Sequence, residues 1–233
     1  MESMQRSPDC RNPLRLRSLR CAAFAALLFI LPDASLGQPV PGYPDSINAY
    51  DPREVAMLPE YCKYTNLFRQ HVPGGNDEER INYYRNLMGP TASGKPPYLF
   101  ETMHHYCWAL MKTNRGTRLA RTKQAKIGYL NTSLSDFDYV IRNAPRGFPL
   151  LPEILTRKGE NLIRLGKPSE ALRDLEKAIE LKPDYWPPYL AISGYYSSAG
   201  DLNAARRILE RGLTVAPDAK PLQAKLDELR SGK

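Results

Sequence analysis

The second half of the chain repeats itself with a period of 34 residues, and this repeat constrains the fold more than any other feature. Four pairs of residues recur at that spacing: Gly166 and Gly200, Ala171 and Ala205, Leu175 and Leu209, and Pro183 and Pro217. Each unit has the apolar spacing of two amphipathic helices joined at a glycine. One helix pair cannot bury its apolar face alone, so such units stack on their neighbours. The sequence predicts an all-α stack of helix–turn–helix repeats without strands.

This unit resembles the tetratricopeptide repeat, in which small residues occupy positions 8, 20 and 27 and proline occupies position 32. Counted from Pro152, those positions hold Gly159, Ala171, Ala178 and Pro183. The resemblance implies a repeat array that binds other proteins and does not catalyse a reaction.

The same comparison divides the chain into segments. The predicted segments are a signal peptide at 1–37, a Pro-rich leader at 38–59, an N-terminal helical region at 60–116, a degenerate repeat at 117–151, tetratricopeptide units at 152–185 and 186–219, and a capping helix at 220–233. The first helix of the degenerate repeat would be the one that carries Trp108.

Local patterns predict the helices upstream of the repeats. Apolar spacing predicts one helix over 60–72, and Asn76 with Glu79 form a capping box for the next. Gly116 is expected to end the helix that carries Trp108, and residues 117–144 read as two further helices.

The first 37 residues have the pattern of an export signal. Five arginines precede an apolar run of eleven residues from Cys21 to Leu31, and small residues then precede Gln38. This order is typical of a cleaved signal peptide, with Gln38 as the new N-terminus and a periplasmic or secreted location. The alternative is an uncleaved segment that anchors the chain in a membrane. With cleavage, contact with the membrane would be limited to the transient signal peptide.

Cleavage would leave two cysteines, Cys62 and Cys107, in a compartment where thiols are commonly oxidised. We expect a disulfide between them; buried free thiols are the alternative. His104, His105 and Cys107 are the only cluster that suggests a metal site or a nucleophile, and it lacks the paired spacing of either. We therefore expect no catalytic residue and no metal ligand.

The charge distribution and one loop motif indicate which classes of partner and cofactor to expect. The formal net charge is +8. Without the first 37 residues it is 28 basic minus 22 acidic residues, or +6, with both signs interspersed. No block of like charge predicts a nucleic-acid partner. Residues 89–96 resemble a phosphate-binding loop, but Pro96 replaces its Ser or Thr and no strand precedes it, so no cofactor is expected.

The resemblance also implies where a partner binds. The first helix of each unit lines the inner wall of the array, and the candidate binding residues on it are Glu153, Arg157, Glu160, Arg164, Leu190 and Ser197. Thr156 is also placed there. The function that follows is a protein-interaction scaffold or adaptor in the cell envelope, which holds a protein or peptide. The alternatives are a structural subunit of an envelope or secretion assembly, and an enzyme or metal-binding protein that uses residues 60–116.

Overall fold

The computed structural model describes residues 51–94 and 98–231 of the chain. The predicted signal peptide and residues 38–50 of the predicted leader lie outside these described residues. Among the described helices, none combines the length and the apolar character needed to cross a bilayer.

The described residues form an all-α stack of helix pairs, as the repeat predicts. The helices are α1 (Pro52–Val55), α2 (Glu78–Met88), α3 (Leu99–Asn114), α4 (Lys123–Asn143), α5 (Leu151–Arg164), α6 (Pro168–Leu181), α7 (Pro187–Ser198), α8 (Leu202–Val215) and α9 (Lys220–Ser231). A 3₁₀ turn at Glu60–Tyr64 precedes α2, and a π-helical turn at Arg115–Leu119 follows α3. Helix α3 packs on α4, α5 on α6 and α7 on α8, while α9 covers α8.

The repeat residues explain this pairing. Gly166 and Gly200 connect the helices of their pairs with φ angles of 74° and 84°, in the left-handed region that glycine adopts without strain. Ala171 and Ala205 are fully buried, as are Leu175 and Leu209. Because the small side chains let two helices approach, the leucines can fill the space between them.

Apolar side chains gather into three cores along the stack. The N-terminal core consists of Leu58, Cys62, Phe68, Cys107, Trp108 and Met111. The central core extends from Tyr64 to Ala178 and includes Phe100, Tyr106 and Phe137. The C-terminal core extends from Leu175 to Leu229. Helix α6 therefore supplies residues to two neighbouring cores.

The prediction of one helix over 60–72 is wrong. Only the 3₁₀ turn at Glu60–Tyr64 is helical in the regular sense. The hydroxyl of Thr65 then donates to the carbonyl oxygen of Cys62 at 2.8 Å, and Leu67 has a φ angle of 72°. A left-handed leucine cannot continue a right-handed helix.

Three other local predictions need correction. The N-cap of α2 is Asp77, whose carboxylate accepts from the backbone N–H of Arg80 at 3.1 Å, and not Asn76. Residues 117–144 hold one long helix, α4, and not two. Gly116 does not end α3 with a turn, because the π-helical turn runs through it. A Cβ at Gly116 would lie 3.2 Å from atoms of Tyr129 and Leu130, so glycine serves the close approach of α4.

The segment before α2 is held to α3 by covalent and ionic contacts. Cys62 and Cys107 form a disulfide with their Cα atoms 5.7 Å apart. Glu54 accepts from Arg115 in a buried ion pair at 2.6 Å. Residues 51–59, which the sequence assigned to an extended leader, thus include α1 and a buried glutamate.

Candidate functional site

Four of the residues predicted for the inner wall lie on one side of helix α5. Glu153, Arg157, Glu160 and Arg164 follow one another at steps of four, three and four residues, which places them along one face of an α-helix. The opposite face is apolar, and its buried residues include Ile154, Leu155 and Leu162. Burial of that face in the stack leaves the charged face towards solvent.

Two arginines on this face share one carboxylate. The Nη1 atoms of Arg157 and Arg164 lie 3.8 Å and 3.6 Å from Oε2 of Glu160. Their side chains are 48% and 37% exposed, and that of Glu160 is 27% exposed. These contacts are longer than good hydrogen bonds, so the pairing is weak. Nη1 of Arg164 also donates to Oδ1 of Asn161 at 3.0 Å, and the other donors of the two guanidinium groups can engage another carboxylate.

A second carboxylate, Glu153, lies among tyrosines. The hydroxyl of Tyr106, from α3, donates to Oε1 of Glu153 at 2.9 Å and so links the first helices of two neighbouring pairs. Burial raises the pKa of Tyr106 well above its usual range, and the nearby Glu153 raises it further. Tyr106 therefore stays a neutral donor at physiological pH.

Two further tyrosines, Tyr61 and Tyr185, lie outside the first helices and interact with the same charged groups. Burial raises the pKa of Tyr61, in the 3₁₀ turn, and the charge of Glu153 adds to the rise while that of Arg157 opposes it. Tyr185 lies in the loop between α6 and α7, and burial raises its pKa to about 12 with the same two charges acting on it. Both phenols are thus coupled electrostatically to Glu153 and Arg157.

Arg157 stands in the middle of this group. Burial works to lower the pKa of its guanidinium, but Glu160, Tyr106 and Glu153 outweigh that effect and the pKa is raised. The arrangement is a fixed positive charge with phenol groups around it. A guanidinium and phenol hydroxyls together bind carboxylates and peptide carbonyl groups, because each supplies N–H or O–H donors.

The other residues predicted for the inner wall are less accessible to a binding partner. Thr156 is buried and donates to the carbonyl oxygen of Pro152 at 2.7 Å, so its placement on the wall is wrong. Leu190 is partly buried and packs against the C-terminal core. The hydroxyl oxygen of Ser197 is buried and has no hydrogen-bond partner among the described residues.

The sequence reasoning did not identify Tyr61, Tyr106 or Tyr185 as site residues. Tyr106 and Tyr185 were assigned to helix packing, and Tyr61 to a helix that does not form. No local pattern marks them, because their contacts with α5 come from distant parts of the chain.

A buried charge cluster lies on the other side of α3. Nδ1 of His105 is 2.8 Å from Oδ1 of Asp136, and Nζ of Lys112 donates to Oδ2 of the same carboxylate at 2.7 Å. All three side chains are about nine-tenths buried. The sequence does not predict this cluster, because the partners of Asp136 are 31 and 24 residues away along the chain.

The cluster of His104, His105 and Cys107, for which metal binding and nucleophilic chemistry were the alternatives, lies on the same helix α3. No group of three or more His, Cys, Asp or Glu side chains in the described part of the chain is arranged to hold a metal ion. Cys107 is in the disulfide, so its sulfur is not a thiolate. Burial, with a smaller contribution from His105, lowers the pKa of His104 to about 4, so His104 is neutral at pH 7.

The fold and this face together define an α-helical repeat protein with a polar, partly exposed face on helix α5. Comparison with known proteins agrees with this class. Residues 162–226 match the tetratricopeptide repeat family. A protein STIP1 homolog from Dictyostelium discoideum is 31% identical over 98 residues, which are 42% of this chain and 17% of that protein. The chain therefore spans less than a fifth of the length of this relative.

A solved structure was also matched, the first tetratricopeptide domain of Spaghetti (RPAP3) bound to the HSP90 peptide SRMEEVD. It is 20% identical, has a TM-score of 0.39, and covers 54% of this chain and 94% of its own. The two stacked helix pairs that carry the 34-residue spacing overlap the residues 162–226 that match the tetratricopeptide repeat family.

Proposed function

We propose that the chain is a non-catalytic scaffold that binds a protein or peptide on the inner wall of its repeats. The observation that carries the proposal is the arrangement at Glu160, where two partly exposed arginines share one carboxylate at 3.6–3.8 Å. The buried ion pair of Lys112 with Asp136 is shorter, at 2.7 Å. The wall thus holds charged groups that the fold itself does not saturate.

The chemistry of the wall favours a partner segment that carries a carboxylate. An incoming carboxylate can take the place of Glu160 on Arg157 or Arg164, and Tyr185 stands beside Arg157 to donate a hydrogen bond. Charge-assisted hydrogen bonds of this kind contribute about 1.5–3 kcal/mol each. A role in the cell envelope is part of the proposal, and it depends on the export signal predicted from residues 1–37.

A peptide-selection experiment tests this function. The full chain is used to select binders from a displayed library of random peptides, and the dissociation constants of the selected peptides are measured. Arg157→Glu/Arg164→Glu should weaken them at least about tenfold, because the loss of one charge-assisted contact is enough for that change.

The matched control is Arg173→Glu/Arg207→Glu. Arg173 and Arg207 are exposed residues at equivalent positions of the second helices α6 and α8, so this variant has the same change in net charge. It should bind the selected peptides like the wild type. Equal affinity of wild type and wall variant would reject the inner wall as the binding surface. Recovery of no peptide would instead favour a structural subunit.

A further inference from the structure

One stretch of the chain contains no acidic residue over 34 positions. Residues 102–135, between Glu101 and Asp136, contain no Asp or Glu. They contain six basic residues: Lys112, Arg115, Arg118, Arg121, Lys123 and Lys126. The whole-chain charge count conceals this stretch, because acids elsewhere balance it.

The fold uses two of these cations internally and exposes the other four. Lys112 pairs with Asp136 and Arg115 pairs with Glu54, both in buried contacts. Arg118, Arg121, Lys123 and Lys126 are exposed. They extend from the π-helical turn after α3, through the short connection that holds Arg121, to the first turn of α4, so they lie within a short part of the chain.

Apolar side chains are exposed in the same place. Leu119 is 57% exposed between two of the arginines, and Met57 is 46% exposed. Nη1 of Arg118 lies 3.7 Å from Sδ of Met57, which joins the two segments at the surface. We call Met57, Arg118, Leu119, Arg121, Lys123 and Lys126 the basic patch.

The patch lies where the described chain begins. Glu54 of α1 is bound to Arg115, which places the start of the described chain beside the π-helical turn. Upstream, 19 residues (32–50) separate Asp51 from the apolar run that ends at Leu31. A chain of 19 residues extends at most about 65 Å, so attachment of that run to a bilayer, before or without cleavage, would limit the distance of the patch from the membrane.

We propose that the basic patch binds the surface of a bilayer that contains anionic lipids. Lysine and arginine near an anionic surface are attracted by its negative potential, and exposed leucine and methionine side chains can enter the boundary between head groups and acyl chains. A nucleic acid fits the patch less well. Its phosphates can pair with the cations, but its backbone offers no apolar surface for Leu119 and Met57 to contact.

Vesicle binding tests the proposal with the full chain. Co-sedimentation is measured with vesicles of phosphatidylcholine alone and with vesicles of equal parts phosphatidylcholine and phosphatidylglycerol. Binding to the anionic vesicles should exceed binding to the neutral ones at least about tenfold at low salt, and the excess should fall as salt rises. Residues 21–31 contribute to binding on both kinds of vesicle, and the anionic preference of the five arginines before them is the same in every variant compared below.

Two variants with equal charge change locate the effect. Arg118→Glu/Arg121→Glu/Lys123→Glu/Lys126→Glu should lower the preference for anionic vesicles at least about tenfold, because four attractive charges become repulsive. Arg142→Glu/Arg146→Glu/Arg207→Glu/Lys220→Glu, at four other exposed positions, should keep most of it. For the apolar part, Met57→Ser/Leu119→Ser should weaken binding, whereas Leu202→Ser/Val215→Ser, at exposed positions of α8, should not.

Amide hydrogen exchange decides the outcome even if residues 21–31 hold every variant on every vesicle. Anionic vesicles should slow exchange in residues 115–126 more than neutral vesicles do. Equal exchange with the two vesicle types would overturn the proposal, as would equal loss of the anionic preference in both fourfold variants. Binding to duplex DNA with no preference for anionic vesicles would assign the patch to nucleic acid instead.

Discussion

At the scale of single residues, the stack depends on side chains that are small where helices cross. A Cβ at Gly159 would lie 2.7 Å from Cγ of Leu175 and 3.3 Å from the carbonyl oxygen of Ala171. Both neighbours are fully buried and cannot move without opening the core. Gly159 therefore has a packing role, since its backbone is in an ordinary helical conformation.

Gly159→Ala tests this close contact. Alanine favours the helix by about 0.5–1 kcal/mol over glycine, but overpacking in a filled core costs about 1–3 kcal/mol. We expect a net loss of stability, measured as a lower midpoint of urea unfolding. Gly128→Ala in α4 is the control, because a Cβ there meets nothing within 4 Å and should stabilise the protein. A Gly159→Ala variant as stable as Gly128→Ala would contradict the close contact.

The sequence identified this class of residue well, because the repeat spacing marks it directly. Gly159, Ala171, Ala178, Ser193 and Ala205 were all assigned to helix crossings, and all five are buried. The sequence did not predict the charge pairs, such as the contact of Asp136 with His105 and Lys112. A pair of charges has no periodic signal, so only the tertiary fold brings it together.

At the scale of the helix, α3 is the most deeply buried element and carries a histidine that cannot easily be charged. The ring of His104 lies 5.3 Å from that of Trp108 and 4.4 Å from that of His105. Nδ1 of His104 donates to the carbonyl oxygen of Glu101 at 2.8 Å. Its folded pKa of about 4 lies below the ordinary histidine value of about 6.5.

This difference predicts a stability that falls in mild acid. Between pH 6.5 and 4 the unfolded chain binds a proton that folded His104 does not, so stability is full above pH 6.5 and is lost as the pH falls. The loss from His104 between pH 7 and 5 is about 2 kcal/mol. His104→Gln should remove that part of the decline in urea unfolding, whereas His71→Gln, at an exposed position, should retain it. Equal declines in both variants would assign the pH dependence to other groups.

Whole helices were predicted best where residues that start or stop helices recur at the repeat spacing. Helices α5 to α8 begin near proline or aspartate and are separated by glycine or proline, as the pattern indicates. The errors fall in the N-terminal region, where a disulfide, a left-handed Leu67 and an ion pair determine the backbone. Residues 117–144 were predicted as two helices, although the single helix α4 runs through Gly128 from Lys123 to Asn143. An exposed glycine costs a helix only about 1 kcal/mol, which packing on α3 can offset.

At the scale of the whole molecule, the stack is a row of three cores with different means of stabilisation. The N-terminal core is small and contains the disulfide, whereas the C-terminal core relies on apolar packing among α6, α7, α8 and α9. In a repeat array each unit contacts only its neighbours, so a change at one end is weakened along the stack. The two tryptophans of the chain report on the two ends, because Trp108 lies in the N-terminal core and Trp186 packs against the C-terminal core.

Removal of the disulfide should therefore affect the two ends unequally. Cys62→Ala/Cys107→Ala frees a loop with a sequence separation of 45 residues, for which the chain-entropy estimate is about 4 kcal/mol. The variant is made in Trp186→Phe and in Trp108→Phe backgrounds, and urea unfolding is followed by fluorescence in each. Because the two proteins compared in each background carry the same phenylalanine, its effect on the free energy of unfolding cancels. We expect the Trp108 transition to move to lower urea by more than the Trp186 transition, because α6 and α5 lie between the cores. Equal shifts would show that the stack unfolds as one cooperative unit, and no shift at Trp108 would show that the disulfide does not stabilise the N-terminal core.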